Sequence, residues 1–279
     1  MTRRNRLLAS LMSDRLTQIA LAALIVLLVL SLVSPLLPIG RPDQVGYGPR
    51  LGAPTWHALF GTDNLGRPIL ARVLQGVQTT ILLSTCAVLI SGLLGAVAAM
   101  VTAYLHPMAD EMASRLADIL FSFPPILLGI LVVAVLSPGA VSVMVVISLI
   151  TFPTMLRVVR ASTLAIMRRD FVVSAEIAGV SFAKRIFVHI LPNVADAIIV
   201  QMIYSISLGM LVESGMSFLG IGVQPPIASL GALLRDGVSY LEIAPWLTFA
   251  PGLTLAVAIM ATNLLGDGLR RLIDPVEQG

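Results

Sequence analysis

Hydrophobic positions in this chain fall in long unbroken runs instead of alternating. Residues 16–40 carry no charge, and neither do residues 73–109, whose apolar heart is 79–103. The run 119–156 is too long for one crossing and is punctuated by Ser137-Pro138-Gly139, a turn signal that divides it into 119–136 and 140–156. Residues 194–218 contain two acids, Asp196 and Glu213, and residues 245–265 form the last run. A bilayer-spanning helix needs about 20 mostly apolar residues. The pattern therefore predicts an all-α, polytopic membrane protein with six transmembrane helices. A membrane β-barrel would instead show short alternating strands of about ten residues.

The polar intervals divide the chain further. Residues 1–16 read as an N-terminal tail, 17–39 as the first transmembrane helix and 40–76 as an outer loop. Residues 77–266 form a core of five helices that includes a long inner loop, 157–193, and 267–279 form a C-terminal tail. With the N-terminus inside, the cytoplasmic segments hold 13 of the 18 basic residues, and the outer segments hold Arg41, Arg50, Arg67, Arg72 and Arg235. The positive-inside rule then places both termini in the cytoplasm. Arg3-Arg4 invites a twin-arginine signal reading. However, Asp14 and Arg15 separate the pair from an apolar run too long for a signal peptide, and no small-residue cleavage pattern follows.

Composition agrees with the pattern and narrows the chemistry. Of 279 residues, 57% are hydrophobic and 12% charged, with a mean hydropathy of +0.95. Soluble domains carry about 25% charged residues, so a soluble enzyme is excluded. The single cysteine, Cys86, and the dispersed His57, His106 and His189 form no disulfide framework and no metal-ligand pattern. No catalytic residue, metal or cofactor is expected, and nothing points to nucleic acid. The only lysine, Lys184, is followed by Arg185 and lacks the glycine frame of a phosphate-binding P-loop, so any ATP chemistry belongs to another chain. Two other classes stay in view. A secondary transporter working without ATPase subunits calls for inverted repeats and mid-membrane ion sites. An intramembrane enzyme calls for a base beside a nucleophile such as Ser214, and no span carries a histidine.

The inner loop is the most informative interval. Residues 171–178 read as a short helix, Gly179 as a hinge and Ser181 as the N-cap of a second helix. In that helix Phe182, Ile186 and Ile190 form an apolar stripe while Lys184, Arg185 and His189 stay polar, and Pro192 is expected to end it. An amphipathic helix pair of this kind lies on membrane lipid or docks on a partner, and spacing alone does not choose.

The segment Phe171-Val172-Val173-Ser174-Ala175-Glu176-Ile177-Ala178-Gly179, followed nine residues later by His189-Ile190-Leu191-Pro192-Asn193, resembles the EAA loop of binding-protein-dependent ABC importer permeases. Val173 stands at that motif's Glu position and Ser174 at its first Ala. Three further segments resemble the dipeptide, oligopeptide and nickel importer permeases, in particular their second, shorter (C-type) subunit. Gly61-Thr62-Asp63-Asn64-Leu65-Gly66-Arg67 resembles the outer-loop signature, with Pro68 in place of the usual Asp. Phe218 to Pro226 with Ser229-Leu230-Gly231 resembles the loop before the last span, Leu230 standing for a Trp. Asn263 to Arg270 with Asp274-Pro275 resembles the C-terminal end. These segments cover about residues 60–275.

The resemblance implies a type I ABC importer permease in the bacterial inner membrane, transporting peptides or nickel and metal-chelate complexes. Its partners would be a second permease subunit, two ATPase subunits or domains, an extracytoplasmic solute-binding protein and membrane lipid. It places ATPase coupling on Ala175, Gly179, Phe182, Ala183, Lys184, Arg185, His189 and Pro192.

The residues carry local readings too. Asp63 and Asn64 initiate a turn that Gly66 completes. Gly220 to Pro226 cannot form a regular helix and is expected as a scoop at the outer interface. Asp196 and Glu213, separated by roughly 25 Å of helix, sit either at the two interfaces or on a polar path. Met210, with Met202 and Met216, either lines an adaptable cavity or packs. Met210 and Glu213 are the candidate path residues.

Overall fold

The computed structural model describes residues 14–105 and 107–273, so Arg3, Arg4, Arg6, His106 and Asp274-Pro275 lie outside the described residues. The helices are α1 (Arg15–Val33, then a 3-10 turn Ser34–Leu36), α2 (Ile69–Leu105), α3 (Pro107–Phe121), α4 (Pro125–Leu136), α5 (Ala140–Met167), α6 (Asp170–Ile177), α7 (Phe182–Lys184), α8 (Leu191–Phe218), α9 (Leu230–Val238) and α10 (Trp246–Ile273). A π-helical turn, Arg185–Ile190, joins α7 to α8. Five of the helices, the one ending in α8 counted from Phe182, are long and apolar enough to cross a membrane. The bent pair α3–α4 brings the number to six when the two are counted as one broken span.

Several boundaries differ from the expectation. The outer loop ends at Pro68, because α2 already begins at Ile69. The predicted span 119–136 is not one rod: α3 and α4 meet at an angle of 92°. Pro124 and Pro125 have no N–H, so the helical ladder cannot continue through them. α5 runs past residue 156 to Met167, and α8 starts at Leu191, leaving only 168–190 as the inner connection. Pro192 ends nothing; it occupies the first turn of α8, where a missing N–H costs no hydrogen bond. Ser181 is the residue before α7, but its hydroxyl makes no capping bond.

α2, α5 and α8 pack together as the central layer, with α10 against α8 and α1 against α10. Small residues set the approach. A Cβ on Gly95 would meet the Phe152 carbonyl and Met155, and one on Gly209 would meet Ser84 and Ile147. Ser91 and Thr151 share a 2.7 Å hydrogen bond between α2 and α5. Ala87, Val88, Val143, Val146 and Ile147 fill the middle of the bundle; Met155, Leu156, Val159, Ile186 and Ile190 fill the end that carries α6. Asp14 caps α1, accepting from the Leu16 amide at 3.1 Å and the Thr17 hydroxyl at 2.7 Å, and its carboxylate meets Arg271 of α10 at 2.6 Å. The outward faces of α1, including Ile19, Val26, Val29 and Leu32, remain exposed, as a lipid-facing helix requires.

Candidate coupling and translocation site

α6 begins at Asp170, whose negative charge sits favourably in the first turn. Val172 and Ala175 point into the bundle. The helix closes in a Schellman motif: Val180 N–H donates to the Ala175 carbonyl at 3.0 Å and Gly179 N–H to Glu176 at 3.0 Å. Gly179 has φ +73°, a left-handed conformation that disfavours any Cβ, although nothing lies within 4 Å of the position that Cβ would take. The hinge expected at this residue is thus a helix-ending turn.

The returning segment keeps Ile186 and Ile190 buried and Phe182 half-buried, the stripe read from the sequence. Ala183 and Lys184 are exposed at the tip. Arg185 is not. Its guanidinium lies 4.8 Å above the Tyr104 ring at the end of α2 and 2.8 Å from Glu176, leaving the side chain 14% exposed. Tyr104 also packs on Phe182 with ring centroids 5.2 Å apart. Arg185 therefore holds the elbow to α2 instead of sharing the tip with Lys184. His189 is half-buried, its ring 6.4 Å from Phe171, and its carbonyl accepts from the Asn193 amide at 2.7 Å. On the far side, Ile177 (82% exposed), Phe187 and Val188 form an uncovered apolar surface flanking Ala183 and Lys184.

At the opposite end, residues 40–68 fold tightly on themselves. The Asp63 carboxylate accepts from the amides of Leu65 and Arg67 at 2.9 Å each and from the Arg67 guanidinium at 2.6 Å, with Arg72 at 3.7 Å. Thr62 bonds the Pro49 carbonyl and accepts from Gly52 at 3.0 Å. Gly61 and Gly66 both have φ +72°, and a Cβ on either would lie 2.5 Å from a carbonyl oxygen. The signature Gly61, Thr62, Asp63, Gly66, Arg67 is thus an Asx-type turn that fixes the loop over the start of α2.

Met210 and Glu213 are both fully buried. The Glu213 carboxyl accepts from the hydroxyls of Thr80 (2.7 Å), Ser217 (2.7 Å) and Ser214 (3.2 Å). Two of those hydroxyls accept in turn: Thr80 from the Leu230 amide at 3.3 Å and Ser217 from the Val223 amide at 3.1 Å. In this conformation neither Met210 nor Glu213 opens to a cavity. Asp196 does, in a pocket of about 420 Å³ between α5, α8 and α10, shared with Ser162, Gln201, Tyr204 and Arg270.

Sequence reasoning missed Tyr104, the Thr80 and Ser217 hydroxyls, and α9. The last had a signal: Ser229 accepts from Ala232 as an N-cap, followed by Leu230, Leu233 and Leu234 at helical spacing.

Residues 91–276 match the family described as the binding-protein-dependent transport system inner membrane component. The chain is 35% identical over 265 residues to a putative peptide transport system permease protein of Brucella abortus, covering 95% of this chain and 89% of that one. It is 36% identical over 217 residues to the di/tripeptide transport system permease protein of Pseudomonas aeruginosa, covering 78% and 72%. With the glutathione transport system permease protein of Pectobacterium atrosepticum it shares 33% identity over 257 residues, covering 91% and 85%. An all-helical bundle with a glycine-hinged elbow, matched along most of its length by such permeases, is a multi-pass inner membrane permease, and the chain belongs to the binding-protein-dependent transport system inner membrane component family.

Proposed function

We propose that this chain is one of two permease subunits of an ABC importer for short peptides, and that the 168–190 elbow couples it to ATPase subunits. The observation that carries the coupling assignment is the exposed tip, Ala183 and Lys184, set beside uncovered Ile177, Phe187 and Val188. An interfacial helix pair would bury such an apolar face in lipid with its cations at the headgroups. Here Arg185, which would serve that purpose, is turned inward onto Tyr104. An exposed apolar patch rimmed by polar residues, here Lys184 at the tip, suits a protein groove. ATP binding and hydrolysis belong to the partner subunits, and an extracytoplasmic binding protein delivers solute at the end formed by residues 40–68 and α9. Both termini then lie in the cytoplasm, in line with the basic residues of the inner segments. Peptides are the proposed solute because the relatives named above transport peptides or glutathione.

Reconstitution with the partner permease, ATPases and binding protein tests this. Gly179→Val, strained by about 1 kcal/mol or more at positive φ, and Ala183→Trp should abolish ATP-driven uptake and loosen ATPase binding while the protein stays in the membrane. Normal uptake by both variants would refute the coupling role. ATP-independent uptake by the single subunit would refute the heteromeric importer.

A further inference from the structure

The last turns of α5 and α10 meet the first turns of α8 around the pocket of about 420 Å³ that contains Asp196. Its lining carries both signs of charge. Asp196 stands near the start of α8, and Tyr204 lies about two turns further along the same face, about 12 Å by helical rise. Arg270 of α10 is beside the Tyr204 hydroxyl. Between these ends Gln201 offers an amide and Ser162 of α5 a hydroxyl, while Val158 and Val200 supply apolar surface. The far end is held by Gly266-Asp267-Gly268. A Cβ on Gly266 would lie 3.0 Å from the Tyr204 ring, and one on Gly268 would collide with Thr17 of α1. The Asp267 carboxylate accepts from the Tyr204 hydroxyl at 2.5 Å. α10 therefore packs close to both α1 and α8 and carries Arg270 to the pocket wall.

We infer that this pocket is a binding site for a zwitterion, the ammonium and carboxylate termini of a short peptide, on the side of the membrane to which the importer delivers. A carboxylate and a guanidinium held apart suit a ligand with the opposite charges at its two ends, and an Arg grips a carboxylate through two parallel bonds. A dipeptide spans about 7 Å, and a charge-assisted bond at each end adds about 2.8 Å. That length matches the spacing between Asp196 and the end formed by Tyr204 and Arg270. Gln201 and Ser162 meet the peptide group, and the apolar wall accepts side chains of different shape. The assignment rests on the peptide-importer reading above but not on the coupling role of the elbow.

Cysteine protection in the assembled transporter, solubilised without its binding protein, tests this. Cys86, the only native cysteine, is replaced by Ala. Ser162→Cys is then introduced, and labelling of this chain by N-ethylmaleimide is followed at increasing dialanine. Dialanine should slow the labelling. N-acetyl-dialanine, which lacks the ammonium, and dialanine amide, which lacks the carboxylate, should each need about tenfold more, the cost of one charged hydrogen bond. Asp196→Asn should erase the difference between dialanine and its acetyl form, and Arg270→Gln the difference between dialanine and its amide. Equal protection by all three compounds, or protection by none, overturns the inference. So does a Ser162→Cys that stays unlabelled, since the pocket is then filled within the complex. Protection by glycerophosphoethanolamine and not by dialanine would give the site to lipid headgroups instead. If Ser162→Cys fails to assemble, Val158→Cys takes its place. ATP-driven dialanine uptake is measured on the same complex in liposomes with the binding protein. Uptake without protection sinks the pocket site alone, and absent uptake counts against the importer reading while the protection result stands.

Discussion

The Thr80 hydroxyl donates to Glu213 at 2.7 Å and accepts from the Leu230 backbone amide at 3.3 Å, so one side chain of α2 joins the end of α8 to the start of α9. Ser217 repeats the arrangement for Val223 in the intervening turn. Glu213 accepts from both hydroxyls, which leaves their lone pairs to the two amides.

Glu213→Gln should therefore act first on stability. The amide offers one acceptor oxygen in place of two, and leaving a buried hydroxyl unsatisfied costs about 1–3 kcal/mol. Thr80→Val should cost a similar amount by stranding the Leu230 amide. Thermal denaturation in detergent and proteolysis within residues 219–229 would show both effects. A Glu213→Gln protein of unchanged stability and lost uptake would assign the carboxyl to the solute path instead.

The Arg185 contact predicts a transmission defect. Arg185→Ala removes a cation–π contact worth about 1–2 kcal/mol in a desolvated setting, enough to detach the elbow from α2 roughly tenfold more often. Solute-stimulated uptake should fall while ATP hydrolysis by the complex persists. Arg185→Lys keeps the charge but not the planar stack, so recovery should be partial. Equal loss of hydrolysis and uptake would point to lost ATPase docking and against a tether.

In the loop at the other end, Asp63→Ala should be the most damaging single change. It leaves the buried Arg72 guanidinium without its nearest carboxylate and removes the acceptor of two turn amides. Breaking a buried pair costs about 3–5 kcal/mol. Faster proteolysis between residues 40 and 68, with α2 intact, is the expected outcome. A digestion pattern like that of the unsubstituted protein would show that the loop is held by other contacts.

Asp14 supplies a pH dependence. The Thr17 hydroxyl, the Leu16 amide and Arg271 hold its carboxyl below the ordinary value of 3.8, against a smaller opposing effect of burial. A depressed carboxyl stabilises above its unfolded value and loses that contribution as pH falls through the folded one. The α1–α10 contact should therefore be constant from neutral pH to about pH 5 and loosen only below pH 3.8. Crosslinking between residues near 14 and 271, followed against pH, would check this; loosening already at pH 6 would exclude Asp14 as the cause.

How far the sequence reveals these features follows from how local each one is. The elbow was legible because Gly179 and the stripe of Phe182, Ile186 and Ile190 lie within twelve residues. The inward turn of Arg185 was not, because its partner Tyr104 comes from another helix. Glu213 stood out as an acid in a span, but the three hydroxyls that receive it include Thr80 from α2, so spacing alone left both interface and path open. The bend at Ser122-Phe123-Pro124-Pro125 is different. Two adjacent prolines mark it in the sequence, and only the hydrophobic continuity of residues 119–136 hides it.

That bend also bears on how the chain enters the membrane. A 12-residue apolar helix is too short to be retained by itself, whereas α4, the turn at Ser137-Pro138-Gly139 and α5 together form a hairpin with one full-length member. We expect the insertion machinery to release α4 and α5 into lipid as one unit, α5 anchoring its shorter companion. A chain truncated after Leu136 should then leave α4 extractable by alkali, and extension through Met167 should make it resistant; firm retention of the truncated chain would show that α4 inserts unaided.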